Sequence, residues 1–163
     1  MARNCIFYLA VEGVLVPRGA VFHKLLPGDV HRFRESPHAS QLSALVVDQE
    51  HVGVVVNSAW VSSLGFRCVL DFLPYPLRHR VIGATVPGNR MLRCRWQTNT
   101  FGRCGWLAAD VERREPAQLT VLESDARQVP VPLRDRAVIV PGGLWAAQIG
   151  DWIRLRDMLA RRA

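Results

Sequence analysis

The sequence lacks the features of membrane, secreted and zinc-binding proteins. No stretch of the 163 residues contains the roughly 20 consecutive apolar residues that a transmembrane helix needs. The apolar opening is interrupted at Glu12 and Gly13 before it reaches the pattern of a signal peptide. The four cysteines form no C-x-x-C pair and no His/Cys set with zinc spacing. We therefore expect reduced thiols in a cytoplasmic protein that does not associate with membranes.

Signatures of several common enzyme classes are missing as well. The chain has no G-x-G-x-x-G, no P-loop and no G-x-S-x-G, which argues against those dinucleotide, nucleoside-triphosphate and serine-hydrolase sites. Its five histidines are scattered, so they suggest neither a metal site nor a catalytic base. No internal repeat or low-complexity linker is present.

Lysine is almost absent, because Lys24 is the only lysine among 21 basic residues. This preference for arginine is typical of codon usage in high-GC genomes and is not by itself evidence for phosphate binding. The net charge of +7 favours anionic partners such as nucleic acid, nucleotides or acidic surfaces. A basic surface that is merely solvated is the alternative.

Short apolar runs alternate with helical patterns along the chain. Strands are predicted at 5–11, 52–56, 80–86, 118–122 and 136–140, and helices at 36–49, 60–73, 101–112 and 146–161. The last helix is predicted to be amphipathic, with the apolar residues Ile149, Trp152, Ile153, Leu155 and Leu159. Of these, Trp152 and Leu155 are expected in the core. Residues 14–35 are expected to form a loop or small flap.

This alternation predicts one α/β domain over residues 1–163. We expect a Rossmann-like three-layer sandwich of about five mostly parallel strands, with helices on both faces and the first strand central. Ligands of such sheets bind beyond the carboxyl ends of the strands. The segments to inspect are therefore 10–13, 57–60, 84–88, 123–125 and 141–145.

Motifs at these strand ends resemble the haloacid-dehalogenase (HAD) superfamily. The family opens with an apolar strand ending in Asp-x-Asp-Gly-Val-Leu, and residues 10–15 read AVEGVL. The later motifs are matched by NSAW at 57–60, GAT at 83–85, RCGWL at 103–107, LESD at 122–125 and GL at 143–144. Their order is most similar to the compact bacterial HAD domain associated with nucleic-acid repair proteins. The resemblance implies a HAD-like fold.

The resemblance also implies roles for the residues at the matching positions. In the family the first Asp attacks phosphorus, and the second protonates the leaving group and activates water. Here these positions hold Ala10 and Glu12. A Ser/Thr and a Lys/Arg hold the phosphoryl oxygens, which indicates Ser58, with its neighbour Asn57, and Arg103.

Metal-binding positions follow from the same resemblance. In the family, acids on the fourth strand bind Mg²⁺ together with the first Asp. Here the corresponding acids are Glu123 and Asp125, while Ser124 replaces an expected second acid. Because Ala10 and Ser124 each remove an oxygen ligand, specific Mg²⁺ binding is expected to be weak or absent.

Three hypotheses follow from these departures. The first is a catalytically degenerate HAD-like domain, a pseudo-phosphatase that acts by binding or regulation and needs no cofactor. The second is a divergent Mg²⁺-dependent phosphohydrolase that uses Glu12 and Glu123. The third is a basic accessory domain that binds nucleic acid through the stretch containing Arg90, Arg93, Arg95 and Trp96.

Structural explanations remain open for several of these residues. Ser58 could simply cap the following helix, and Arg103 could be a solvated helix residue. Trp96 could pack on the core. The partner remains open between an anionic ligand and nucleic acid.

Overall fold

The computed structural model describes residues 5–86 and 95–161, with the backbone alone at 22 and 95–101. Five strands and seven helices are found in these ranges: β1 (Cys5–Ala10), α1 (Pro27–Arg34), α2 (Pro37–Val47), β2 (Val52–Asn57), α3 (Trp60–Leu64), α4 (Phe66–Leu70), α5 (Tyr75–Arg78), β3 (Val81–Ala84), α6 (Arg95–Arg114), β4 (Gln118–Glu123), β5 (Ala137–Ile139) and α7 (Ile149–Ala160). Single 3₁₀ turns occur at Phe22–Lys24, Ala126–Gln128 and Leu144–Ala146, and a longer one at Val131–Arg136.

The strands form one parallel sheet in the order β3-β2-β1-β4-β5. The central position of β1 is therefore confirmed. Cys5 is level with Val52 on one side and with Gln118 on the other, so β1, β2 and β4 start together. As a result, their carboxyl ends, at Ala10, Asn57 and Glu123, meet at one edge of the sheet.

Side chains of β1 alternate between two hydrophobic clusters. Phe7 and Leu9 belong to the larger cluster, which includes residues of α2 and α7, while Ile6 and Tyr8 belong to a second cluster beneath α6. All six residues of β1 are buried, as expected of a strand covered on both faces. This arrangement confirms the predicted α/β sandwich with a helical layer on each side.

Two helical segments differ from the sequence prediction. The segment 14–35 was expected to be a loop or flap, but it contains α1, which starts at Pro27 and buries no residue completely. The single helix expected over 60–73 is divided into α3 and α4 at Gly65, whose φ is +94°. A left-handed backbone is accessible to glycine but cannot continue an α-helix, so the local chemistry of one residue determines the break.

The apolar residues of the amphipathic helix α7 are only partly covered. Leu155 is buried as expected and Leu159 is buried as well, whereas Trp152, also expected in the core, is half-buried. Ile149 is 79% exposed and Ile153 is also exposed. A shallow groove of about 220 Å³ is lined by Ile149, Trp152, Ile153 and Arg156 of α7 and by Gln41 and Leu45 of α2. Tertiary packing therefore buries a narrower stripe of α7 than its apolar pattern suggested.

The longest described helix, α6, is interrupted at Gly102, where φ is +52°. None of the helices within residues 5–86 and 95–161 is both long and apolar enough to cross a bilayer.

Candidate functional site at the strand ends

The turn after β1 is held tightly against the end of β4. The carbonyl of Val11 accepts hydrogen bonds from the N–H groups of Leu15 (2.9 Å) and Val16 (3.1 Å), and Gly13 N–H donates to the Val16 carbonyl (2.7 Å). Gly13 has a φ of +85°, and a Cβ there would collide with the hydroxyl of Ser124. Only glycine fits this close approach, which brings Glu12 beside the β4 end.

Ala10 ends β1 at the position where the HAD pattern places its nucleophile. It is 1% exposed and lies level with Asn57 of β2. Its methyl group carries no lone pair that a base or a metal could activate. This position therefore contributes packing and no nucleophile.

Arg103, from the start of the second part of α6, lies between two carboxylates. Its Nη1 donates to the backbone carbonyl of Glu12 (3.1 Å) and stands 3.9 Å from Glu12 Oε2, and its Nη2 is 3.3 Å from Glu123 Oε1. The three side chains are 15%, 17% and 0% exposed for Arg103, Glu12 and Glu123 respectively. The alternative of a solvated helix residue is thus wrong for Arg103.

Glu123 is the most deeply buried acid of the group. Desolvation raises the pKa of its carboxyl, and Arg103 and the hydrogen bonds from Ser124 oppose that rise. Ser124 N–H donates to Oε1 at 2.8 Å, and the Ser124 hydroxyl donates to the same oxygen at 3.3 Å. Among the described residues, no hydrogen bond reaches Oε2 of Glu123 or Oε2 of Glu12, so each carboxyl keeps one buried, unsatisfied oxygen.

Three further polar side chains lie at the ends of the neighbouring strands: Asn57 and Ser58 at the end of β2, and Thr85 directly after β3. The Thr85 hydroxyl donates to Asn57 Oδ1 (2.9 Å), while within the described ranges Asn57 Nδ2 has no partner. The backbone N–H of Trp60 donates to Ser58 Oγ (3.2 Å) and also to Glu12 Oε1 (3.3 Å). Ser58 Oγ therefore accepts from the first residue of α3, although the N-cap position of that helix is Ala59, which makes no side-chain cap hydrogen bond.

Asp125 forms a separate arrangement at the rim. Its carboxylate accepts from Arg18 Nη2 (2.8 Å) and from Arg127 Nη2 (2.9 Å), and it also caps the 3₁₀ turn through the Arg127 N–H (3.0 Å). These interactions, chiefly with Arg127, hold the pKa of Asp125 well below its usual range. Asp125 therefore binds arginines at the rim, whereas Glu123 lies inside with Arg103.

Sequence reasoning did not single out Arg18, Arg127 or Trp145 as site residues. The two arginines belong to no recognisable motif. For Trp145, the sequence signal was the Gly-Gly pair before Leu144, which indicates a loop at the end of the fifth strand. Of the predicted nucleic-acid residues, Arg90 and Arg93 lie outside the described residues, and the side chains of Arg95 and Trp96 are not described. Those assignments stay predictions.

Comparison with protein families identifies the relationship. Residues 6–149 match the family model described as the HAD domain in Swiss Army Knife RNA repair proteins. The chain belongs to this family. The HAD resemblance inferred from the strand-end motifs is therefore confirmed over most of the sequence. Comparison with curated proteins gave no match, and comparison with solved structures gave none either.

The HAD family implies a Mg²⁺ ion, and the residues at this site do not fit one. Mg²⁺ requires near-octahedral oxygen coordination, yet Ala10 supplies no side-chain oxygen and the Glu12 carbonyl already accepts from Arg103. The guanidinium of Arg103 stands between the two remaining glutamates. No group of three His, Cys, Asp or Glu residues within the described chain could hold a metal ion.

Proposed function

We propose that this HAD domain is catalytically degenerate and acts by binding an anionic ligand or partner instead of hydrolysing a phosphate ester. One observation carries the proposal. The Arg103 guanidinium lies between Glu12 and Glu123, and the end of β1 next to Glu12 is Ala10. An internal cation thus neutralises the carboxylates that an active site would use for chemistry.

The remaining groups support binding more than catalysis. A covalent route through phosphorus needs a nucleophilic side chain, and Ala10 has none. The nearest carboxylate, Glu12, accepts a hydrogen bond from Trp60 N–H and faces the guanidinium. If Glu12 attacked phosphorus, the crevice would have to supply another acid for the leaving group.

One feature favours the second hypothesis, a divergent phosphohydrolase. The raised pKa of Glu123 would help it retain a proton and act as a general acid. However, its side chain has no exposed surface, and a general acid must lie within hydrogen-bond reach of its substrate. We therefore rank this alternative second.

The nature of the anion follows from charge and family. The chain carries a net charge of +7, and its family is described by RNA repair. Both favour nucleic acid as the partner, bound mainly through phosphates and with little dependence on sequence. The affinity for RNA should consequently fall steeply with salt.

Hydrolysis of a generic aryl phosphate, with and without Mg²⁺, tests the proposal. We expect purified protein to show no turnover above buffer, and calorimetry to show no micromolar Mg²⁺ site. The Glu12→Gln variant is the control for contaminating phosphatase, since a contaminant is unaffected by it. Clear turnover that disappears in Glu12→Gln would refute degeneracy and establish the divergent hydrolase.

A further inference from the structure

Two arginines are held at the rim of the crevice by one carboxylate. Arg18, from the turn after β1, and Arg127, from the turn after β4, both bind Asp125 Oδ2, and Arg127 adds a second nitrogen, Nε, at 3.1 Å from Oδ1. A guanidinium carries five N–H donors, more than a shared carboxylate can accept. The two side chains therefore present oriented donors and a net positive charge to solvent.

An exposed aromatic ring lies on the same rim. Trp145 is 45% exposed, and its ring covers Gly143 so closely that a Cβ there would be 2.6 Å from Cη2. The same Cβ would stand 2.9 Å from the carbonyl oxygen of Gly13, and a Cβ on Gly13 would be 3.9 Å from Cβ of Arg18. Gly13 thus lies between the loop of Trp145 and Arg18, and Asp125 links Arg18 to Arg127.

We propose that this rim, formed by Arg18, Arg127 and Trp145, binds single-stranded RNA. The guanidinium groups bind backbone phosphate, for which their planar forks are suited, and the indole stacks on an unpaired base. The inference rests on the proposed binding function and specifies its ligand class and its contact residues. Asp125 acts as a positioning residue, because it touches the arginines and not the RNA.

The combination of groups favours RNA over other anions. An acidic peptide would pair with the arginines but would offer no π-face to Trp145. A duplex keeps its bases stacked within the helix, whereas a single strand exposes them. A free nucleotide or inorganic phosphate would engage only part of the rim, so it should bind more weakly than a strand.

The test is fluorescence anisotropy of the full chain with a labelled single-stranded RNA of about twelve nucleotides, long enough to cover a typical single-strand site. Trp145→Ala should weaken binding about tenfold, the effect of losing one stacked base. Arg18→Ala should reduce the slope of log affinity against log salt by about 0.7, one phosphate contact. Arg156→Ala is the matched control, because Arg156 is 60% exposed against 61% for Arg18 and is likewise paired with an aspartate.

Asp125→Asn separates a built site from a generally basic surface. The asparagine can still cap the Ala126–Gln128 turn, while the variant gains one unit of positive charge. Nonspecific attraction therefore predicts tighter RNA binding. If Asp125 positions the arginines, the variant should instead bind RNA more weakly. Adding Arg18→Ala to Asp125→Asn should then reduce the affinity less than Arg18→Ala reduces it in the wild type.

The outcomes are distinct from those of the phosphatase assay. Equal weakening in Arg156→Ala and Arg18→Ala, unchanged binding in Trp145→Ala, or tighter binding in Asp125→Asn would each overturn the rim proposal. If an acidic peptide or a free nucleotide displaced the labelled RNA as effectively as unlabelled RNA does, the choice of ligand would be overturned. None of these results bears on whether the protein hydrolyses an aryl phosphate, so degeneracy can stand or fall separately.

Discussion

Replacing Arg103 by methionine should strongly destabilise the protein at neutral pH. Methionine preserves much of the side-chain length but leaves Glu12 and the fully buried Glu123 without their cation. At 3.3 Å and an effective dielectric constant of about 20, the lost attraction is about 5 kcal/mol. Removing one partner of a buried ion pair costs about 3–5 kcal/mol, and we expect the lower end because Arg103 is 15% exposed. A loss of about 3 kcal/mol corresponds to a fall in melting temperature of about 6–12 °C for a chain of this size.

Urea denaturation of the wild type, Arg103→Met, Glu123→Gln and the double variant forms a double-mutant cycle. The double variant should be more stable than Arg103→Met alone, because the neutral amide removes the uncompensated buried charge. The deficit of Arg103→Met should also be smaller in a measurement at pH 4 than at pH 7. Desolvation raises the pKa of the Glu123 carboxyl, so protonation at acidic pH removes the uncompensated buried charge.

Two outcomes would refute this reasoning. One is an Arg103→Met variant as stable as the wild type at pH 7. The other is a deficit of the same size at pH 4 and pH 7, which would mean that lost packing and not charge is responsible.

Three shorter predictions follow. Ala10→Asp alone should stay nearly inactive towards an aryl phosphate with Mg²⁺, because two further Asp positions of the family pattern still hold other residues and such residues act as a unit. Restoring Asp at all three positions should give measurable turnover. Equal rates for the single and the triple variant would contradict this. Burial raises the pKa of Glu123 in the folded state, so the stability that its carboxyl contributes is complete below the unfolded pKa of about 4.3 and is lost as the pH rises through the folded pKa. The stability of Glu123→Gln relative to the wild type should therefore increase as the pH rises above about 4.3; parallel stability profiles in urea titrations would contradict this. Gly143→Ala should lower the stability in thermal unfolding more than Gly19→Ala does, because both residues have φ near +85° but only Gly143 faces the Trp145 ring. Equal losses of stability in the two variants would mean that backbone strain, about 1–3 kcal/mol, accounts for the whole effect.

The strand-end motifs predicted much of the candidate site. They identified Ala10, Glu12 and Glu123 as neighbours, because parallel strands of matched length end at one edge. They could not predict that Arg103 would bridge the two glutamates, since that depends on where the second part of α6 packs after its interruption at Gly102.

Assignments that depended on one helix face were less secure. The apolar pattern of α7 includes Ile149 and Ile153 together with Leu155, but only Leu155 of these three is buried. Periodicity shows which residues share a face of a helix, whereas the width of the buried stripe depends on how closely neighbouring elements cover it.

The sequence by itself indicated the family and the parallel α/β fold, and it predicted that Ala10 occupies the nucleophile position of the family pattern. These conclusions follow from local apolar runs and from residue identity at motif positions. Only the tertiary structure decided which charges meet. Arg18, Asp125 and Arg127 come from two separate turns, and Gly13 and Gly143 approach from opposite ends of the chain. Contacts of this kind depend on the paths of the loops between strands. A short sequence motif does not predict which distant residues those loops bring together.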